Sequence, residues 1–238
     1  MTENASPVTF RSGLIAALPI VLGYFPIAFS FGVAATRTGL TGIEAVALSL
    51  LIYAGASQFL ALTLFASGAP VLVAAFTLIA MNLRHLLYGP ALMKQAGPEA
   101  GRSKAWAWAW GLTDEVFGQA LGALTRGQRF SEAYMFGLGF AAYAAWVSGT
   151  AVGALAGGGA LDAWPAVGAG LDFMLTALFL ALLMSILSRA ALPAILAAGV
   201  ATVLGTVFWS GTTGILAGMI TGALAGVVAT RIRGEAAQ

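Results

Sequence analysis

Residues 71–80 read VLVAAFTLIA, and this stretch decides the fold class. Its apolar side chains cover all faces of a helix and do not alternate with polar ones, as they would in a strand of a membrane barrel. Apolar runs of about 20 residues, each long enough to cross a hydrocarbon core of about 30 Å as a helix, recur along the whole chain. The sequence therefore predicts an all-α, polytopic integral membrane protein, with the lipid bilayer as its main surroundings.

The composition supports this interpretation. Hydrophobic residues make up 60% of the 238 residues and charged residues only 8%, whereas soluble domains carry about 25% charged residues. The net charge is +2, and the basic residues lie between apolar segments, where they set topology; no nucleic-acid partner is expected. The chain has no cysteine and a single histidine, so we expect no metal, no cofactor and no enzymatic activity.

Apolar length and polar breaks predict eight segments. They lie near 13–35, 44–66, 69–92, 104–125, 133–157, 164–188, 191–209 and 211–231. The last two are so close that they form either a tight hairpin or one bent unit, which leaves seven or eight crossings. We expect a single transmembrane domain over 1–238, with a polar N-terminal segment at 1–12 and a polar tail at 232–238.

The basic residues set the predicted orientation. They cluster at Lys94, Arg102 and Lys104, at Arg126 and Arg129, and at Arg231 and Arg233. The last cluster predicts a cytoplasmic C-terminus. The first two flank the fourth segment, so a simple crossing would place them on opposite sides. Either the rule is violated locally or this segment, with Thr113-Asp114-Glu115 at its midpoint, consists of two half-helices that re-enter. The segment count also permits an inverted repeat.

The first segment contains helix-breaking residues, Pro19, Gly23 and Pro26. Each proline removes a backbone donor, so the helix should kink or unwind there. Broken membrane helices expose backbone groups that a zwitterionic ligand can use, whereas a simple bend would only fit the helix to its neighbours. We therefore treat these three residues as candidates for substrate binding.

The second segment places small and polar residues near the bilayer centre, in the order Tyr53, Gly55, Ser57 and Gln58. Lipid cannot satisfy the donors and acceptors of the Gln58 amide, so this side chain should face protein or a cavity. All four are candidates for substrate contact, and joining of helices is the alternative.

The third segment carries Asn82, Arg84 and His85. Asn82 and His85 share a helical face, and Asn82 is a further candidate for substrate binding. A charge near a helix centre costs about 2.5–3.5 kcal/mol, so Arg84 must snorkel, pair with a carboxylate or line water. His85 is a candidate proton acceptor in a transport cycle, or a structural residue.

Acidic residues that could neutralise Arg84 are Asp114, Glu115 and Asp172. We expect a network of intramembrane charges among these residues, Arg84 and His85. Capping of a helix close to the interface is the alternative for Asp172.

The last segment repeats glycine every fourth residue, at Gly214, Gly218, Gly222 and Gly226. The glycines align on one helical face, which predicts close packing against another segment or a second protein.

Several of these motifs together resemble the AzlC family of branched-chain amino acid permeases. The matching pieces are Leu18-Pro19-Ile20, Gly23-Tyr24-Phe25-Pro26, Phe31-Gly32, Tyr53-Ala54-Gly55-Ala56-Ser57-Gln58-Phe59, Asn82-Leu83-Arg84-His85, Thr113-Asp114-Glu115 and Gly170-Leu171-Asp172-Phe173. They occur in a consistent order over nearly the whole chain.

The resemblance implies export of valine, leucine, isoleucine and methionine across a bacterial cytoplasmic membrane, together with a small membrane partner of the AzlD type. We expect this transport to be ion- or proton-coupled. An aliphatic amino acid needs an apolar pocket and a few polar groups for its two charged ends, which agrees with the residues above. The alternative is a passive channel or a scaffold that assembles with its partner through the Gly214–Gly226 face.

Overall fold

The computed structural model describes residues 8–159, 161 and 163–236. In this part of the chain the regular structure is helical, with a single 3₁₀ turn at Ala109–Gly111 and no strand. The helices are α1 (Phe10–Ala16), α2 (Leu18–Arg37), α3 (Gly42–Leu51), α4 (Gly55–Ala66), α5 (Val71–Asn82), α6 (His85–Ala96), α7 (Ala105–Trp108), α8 (Asp114–Thr125), α9 (Glu132–Ala156), α10 (Pro165–Ile186), α11 (Leu192–Phe208) and α12 (Gly211–Ala236).

Each of the eight predicted segments corresponds to one helix or to a group of consecutive short helices. Within the described residues, helical stretches long and apolar enough to cross a membrane lie at Leu18–Arg37, Val71–Ala96 (α5 and α6 together), Glu132–Ala156 and Gly211–Ile232. Shorter apolar helices at Gly42–Leu51, Gly55–Ala66 and Leu192–Phe208 accompany them. The predicted all-α, polytopic membrane fold is confirmed.

The predicted break in the first segment is confirmed, and its position is a finding of the structure. It lies at Ala17, between α1 and α2, immediately before Leu18 and Pro19. Pro19 is in the first turn of α2, where its missing N–H would have no helical partner in any case. The expected unwinding between Pro19 and Pro26 is wrong, because α2 continues through Gly23 and Pro26.

The next three segments are also broken near their centres. The second is interrupted at residues 52–54 and the fourth at Leu112 and Thr113. The break in the third, at Leu83 and Arg84, is milder: the hydrogen-bonding pattern changes there, but both residues keep helical φ and ψ. The fourth segment therefore consists of two helical parts, as one of the two alternatives predicted: α7 with its 3₁₀ turn, followed by α8. Re-entry of this segment stays a prediction.

The core of the first compact unit, which extends up to Leu175, is built around α9. Glycines let its backbone approach α1 and α2 so closely that no side chain fits between them. A Cβ added at Gly153 would lie 2.0 Å from the carbonyl oxygen of Phe29, and one at Gly32 would lie 2.2 Å from that of Thr150. Gly13 approaches the carbonyl oxygen of Tyr134 as closely.

The second compact unit begins at Thr176 and contains the helical hairpin of α11 and α12. Gly214, Gly218 and Gly222 of α12 all face α11: added Cβ atoms would lie 2.1 Å from Thr206 Oγ1, 2.0 Å from Thr202 Oγ1 and 2.8 Å from Ala198 Cβ. A Cβ at Gly226 would lie 3.6 Å from Ala194 Cβ. The glycine face thus contacts its own hairpin. The single domain over 1–238 stays a prediction.

Candidate functional site

An ion pair joins two of the broken segments. Arg84 Nη2 lies 2.9 Å from Asp114 Oδ2, and the side chains are 42% and 22% exposed. Tyr88, one helical turn after Arg84, donates its hydroxyl to the other oxygen of the same carboxylate. Both donors come from the α5–α6 break and the start of α6, and Asp114 is the first residue of α8. The Arg84 charge is therefore neutralised between the third and fourth segments.

The neighbouring carboxylate, Glu115, points to a different helix. Its contact is the hydroxyl of Tyr24 in the middle of α2, which also lies 2.6 Å from Thr113 Oγ1. Thr113 caps α8, accepting a hydrogen bond from the Val116 amide. In the described part of the chain Glu115 forms no ion pair. The start of α8 thus holds two adjacent carboxylates, one with a cation and one without.

Tyr53 lies at the break between α3 and α4 in an unusual conformation. Its φ is +39°, the one positive value among the described non-glycine residues, a conformation that costs about 1–3 kcal/mol and tends to occur at functional sites. The residue is only 5% exposed, yet its hydroxyl has no hydrogen-bond partner among the described residues. Its ring packs edge-on against Tyr143, at 4.8 Å between centroids.

Asn82 and His85 meet at the α5–α6 break. Asn82 accepts a hydrogen bond from the Ser57 hydroxyl of α4 at 2.8 Å, which ties the second and third segments together. His85 Nδ1 lies 3.2 Å from the Asn82 carbonyl oxygen, and the ring packs edge-on against Tyr88. The Nε2 atom of His85 takes no part in these contacts.

The Gln58 amide joins helices. It is fully buried, donates to Ser49 Oγ and accepts from Trp146 Nε1, both at 2.9 Å. Ser49 in turn contacts Thr150 Oγ1 at 2.7 Å, so the network spans α3, α4 and α9. Gly55 packs against Trp146, whose ring would lie 2.5 Å from an added Cβ. Gln58 and Gly55 are therefore occupied by contacts within the protein.

A cleft of about 490 Å³ opens where the broken segments approach one another. Its polar lining comes from Tyr53, Asn82 and His85. Its remaining walls are formed by Ile52, Ala54, Leu86, Gly89, Pro90, Ala109, Trp110 and Leu112. The cleft is thus mostly apolar with a few polar groups, which is the usual character of a site for a small apolar molecule with polar ends.

Three predicted binding residues lie elsewhere. Pro19, Gly23 and Pro26 share an exposed face of α2, opposite Ile20 and Tyr24, which are buried. Their spacing of four and three residues places them together, away from the cleft lining. The first segment contributes Tyr24 to the site instead. Asp172 belongs to α10, and its side chain is outside the described residues.

Tyr24 and Tyr88 are the site residues that the sequence analysis missed. Each is a hydroxyl-bearing side chain inside an apolar segment, and Tyr88 follows Arg84 by four residues and His85 by three, on the same helical face. That spacing alone would have included Tyr88 in the charge network.

Known proteins resemble this chain over most of its length. The profile of the AzlC family, described as AzlC protein, matches residues 19–159. Inner membrane protein YgaZ of Escherichia coli (strain K12) is 44% identical over 213 residues, which cover 89% of this chain and 87% of that protein. An uncharacterized membrane protein of Archaeoglobus fulgidus is 40% identical over 190 residues, covering 77% of this chain and 78% of its own.

A further relative carries a functional name. The branched-chain amino acid transport protein AzlC of Bacillus subtilis (strain 168) is 28% identical over 172 residues, 72% of this chain and 65% of that protein. No solved structure gives a significant match. Because the family profile covers more than half of the chain and the Escherichia coli relative aligns over nearly all of it, the chain belongs to the AzlC family of membrane proteins.

Proposed function

We propose that this chain is the transporting subunit of an exporter for branched-chain amino acids, namely valine, leucine and isoleucine, with methionine as a further substrate. The observation that carries the proposal is the cleft at the breaks of the second, third and fourth segments. Its apolar walls suit an aliphatic side chain, and its polar groups suit the two charged ends of an amino acid. The name of the Bacillus subtilis relative supports the same substrate class.

The start of α4 supplies donors for the substrate carboxylate. This helix begins without a side-chain cap, and its first backbone amides have no intrahelical partner. Unpaired amides and the helix dipole favour an anion at this position. Broken helices in other transporters bind substrate carboxylates in this way.

Proton coupling through His85 is part of the proposal. The charged and titratable groups within electrostatic reach of its ring are Arg84, Asp114, Glu115 and, in direct contact, Tyr88. A proton on His85 would therefore change the charge balance beside the Arg84–Asp114 pair. His85→Gln should alter the pH dependence of transport, and an unchanged pH profile would remove His85 from the coupling mechanism.

The chain works in the bacterial cytoplasmic membrane with a small AzlD-type partner, as the family resemblance implies. Arg231, near the end of α12, and Arg233 favour a cytoplasmic C-terminus. Large apolar side chains of α5 and α6 are exposed, among them Val71, Phe76 and Leu87, and suit contact with lipid or with a helix of the partner.

The test is transport of labelled valine, leucine, isoleucine and methionine in proteoliposomes that contain the chain with and without the small partner. A carrier exchanges labelled valine against an opposing gradient of unlabelled valine, whereas a pore does not. Counterflow that requires both subunits is the expected result. Valine flux without counterflow would favour a passive channel, and no flux would contradict the substrate assignment.

A further inference from the structure

Two polar groups of the first compact unit each lack a partner that their chemistry calls for. One is the Tyr53 hydroxyl, buried without a hydrogen-bond partner among the described residues. The other is the Glu115 carboxylate, whose contact is a neutral tyrosine, Tyr24. Tyr53 and Leu112 line the same cleft, and Glu115 follows Leu112 by three residues, in the first turn of α8. Without a ligand, both groups raise the free energy of the folded protein. A buried unsatisfied polar group costs about 1–3 kcal/mol, and an unpaired intramembrane charge costs more.

The adjacent carboxylate, Asp114, has a cation as a partner, and Glu115 has none among the described residues. Asp114 has a cation at 2.9 Å and a tyrosine hydroxyl, so both of its oxygens have a partner. Glu115 has the corresponding hydroxyl, from Tyr24, and in the described part of the chain no cation. A positively charged group beside Glu115 and within reach of Tyr53 would complete the same arrangement.

We propose that Glu115 and the Tyr53 hydroxyl bind the ammonium group of the transported amino acid. An ammonium group has three donors and no acceptor, so it can donate to the carboxylate and to the Tyr53 oxygen together. Tyr53 also lines the cleft, next to the uncapped start of α4. The substrate then lies with its carboxylate at α4, its ammonium at Glu115 and its side chain against the apolar walls. This inference rests on the proposed function.

The strained backbone of Tyr53 fits this assignment. An L-residue at φ +39° places the side chain where a regular helix would not, and such strain persists where the surrounding structure holds a residue in a functional position. Packing of the Tyr53 ring against Tyr143 provides that support, because the Tyr143 hydroxyl is anchored to the Leu50 carbonyl oxygen at 2.9 Å. Tyr53 is thus held by its ring, and its hydroxyl remains available to a ligand.

The test compares two ligands that share an isopropyl group. They are L-valine and isovalerate, which has no ammonium. Binding is measured by isothermal titration on the full-length protein in lipid nanodiscs. The wild type should bind valine roughly 10- to 100-fold more tightly than isovalerate, the range of a hydrogen bond to a charged group. Equal affinities would overturn the assignment without any variant.

Variants then locate the ammonium site. Glu115→Gln keeps the shape of the side chain and should weaken valine binding roughly 10- to 100-fold, with isovalerate binding unchanged. Tyr53→Phe should weaken valine binding by a smaller factor, and Tyr134→Phe, the control at a tyrosine of α9 outside the cleft lining, should not. If Glu115→Gln does not fold, Glu115→Asp, which shortens the reach to the ammonium, replaces it with the same expected direction.

The possible failures are distinct. Valine binding by the wild type with equal affinity in Glu115→Gln and Tyr53→Phe would overturn this site and leave the proposed function intact. If Glu115→Gln binds valine as tightly as the wild type does but loses gradient-driven transport, Glu115 acts in coupling. This result would also overturn the ammonium site. Absence of valine binding by the wild type would contradict the proposed function and the ammonium site together.

Discussion

The contact between α2 and α9 is close enough for a single methyl group to disrupt it. In Gly153→Ala the new Cβ would start 2.0 Å from the carbonyl oxygen of Phe29 and 2.8 Å from its Cα. Real Cβ atoms essentially never come closer than 3.0 Å to such neighbours. The two backbones must therefore separate by about 1 Å, because neither a backbone carbonyl nor a Cα can rotate out of the way as a side chain can.

This separation should be costly. Overpacking in a core typically costs about 1–3 kcal/mol, and a clash between backbones lies at the upper end of that range or above it. For a chain of this size, about 3 kcal/mol corresponds to a loss of roughly 6–12 °C in melting temperature. Gly32, which approaches the Thr150 carbonyl oxygen on the same pair of helices, loses its packing when the helices move apart.

The assay is heat treatment of the purified protein followed by fluorescence-detected size-exclusion chromatography. Gly23→Ala is the control: it lies in α2, the partner helix of this contact, and an added Cβ meets nothing within 4 Å. Because alanine favours a helix over glycine by about 1 kcal/mol, Gly23→Ala should leave the melting temperature unchanged or raise it. A melting temperature for Gly153→Ala equal to that of the control would refute the close contact of α2 and α9.

Arg84→Ala and Asp114→Ala should each cost about 1–3 kcal/mol of unfolding free energy, and a double-mutant cycle should give a coupling of at least about 0.5 kcal/mol, since the pair is partly buried. Gln58→Leu should lower the melting temperature by leaving the donor and acceptor groups of its buried network unpaired, which costs about 1–3 kcal/mol. Gly218→Leu with Gly222→Leu should collapse expression or weaken co-purification of the small partner, because the new side chains fill the space occupied by α11.

Each of these three predictions has an outcome that would contradict it. Additive effects of Arg84→Ala and Asp114→Ala would mean that the two side chains are not coupled. Wild-type stability of Gln58→Leu would remove the amide network from the fold. An intact and active complex with both leucines would exclude close packing at the glycines, and Gly199→Leu, at an open position of α11, is the control.

The positions of the apolar helical segments were predictable because hydrophobic length depends on a single physical quantity, the thickness of the bilayer. All eight segments follow from it. The breaks were only partly predictable. Pro19 signalled the break at Ala17, and Thr113-Asp114-Glu115 signalled the one before α8. The break at residues 52–54 has no proline, and its strained residue is Tyr53, whose φ depends on tertiary contacts and not on local preference.

Contacts between segments were harder to predict. The glycines of α12 were recognised from their spacing, whereas Gly149 and Gly153 of α9 and its C-cap Gly157 have the same spacing and were not singled out. The sequence identified Arg84 and Asp114 as possible partners because an intramembrane cation needs an anion. It did not separate the role of Asp114 from that of Glu115, since adjacent residues at a helix start point in different directions.

The central claim is that the cleft between the broken segments binds the amino acid, and the chain's lack of cysteine allows a direct test. Ala109→Cys places a thiol in the cleft lining, and Gly101→Cys places one on an exposed loop. The rate of alkylation by N-ethylmaleimide is measured in proteoliposomes with and without saturating L-valine. Valine should slow the labelling of Ala109→Cys several-fold and leave Gly101→Cys unaffected. An Ala109→Cys labelling rate that does not respond to valine, in protein that transports valine, would contradict the claim.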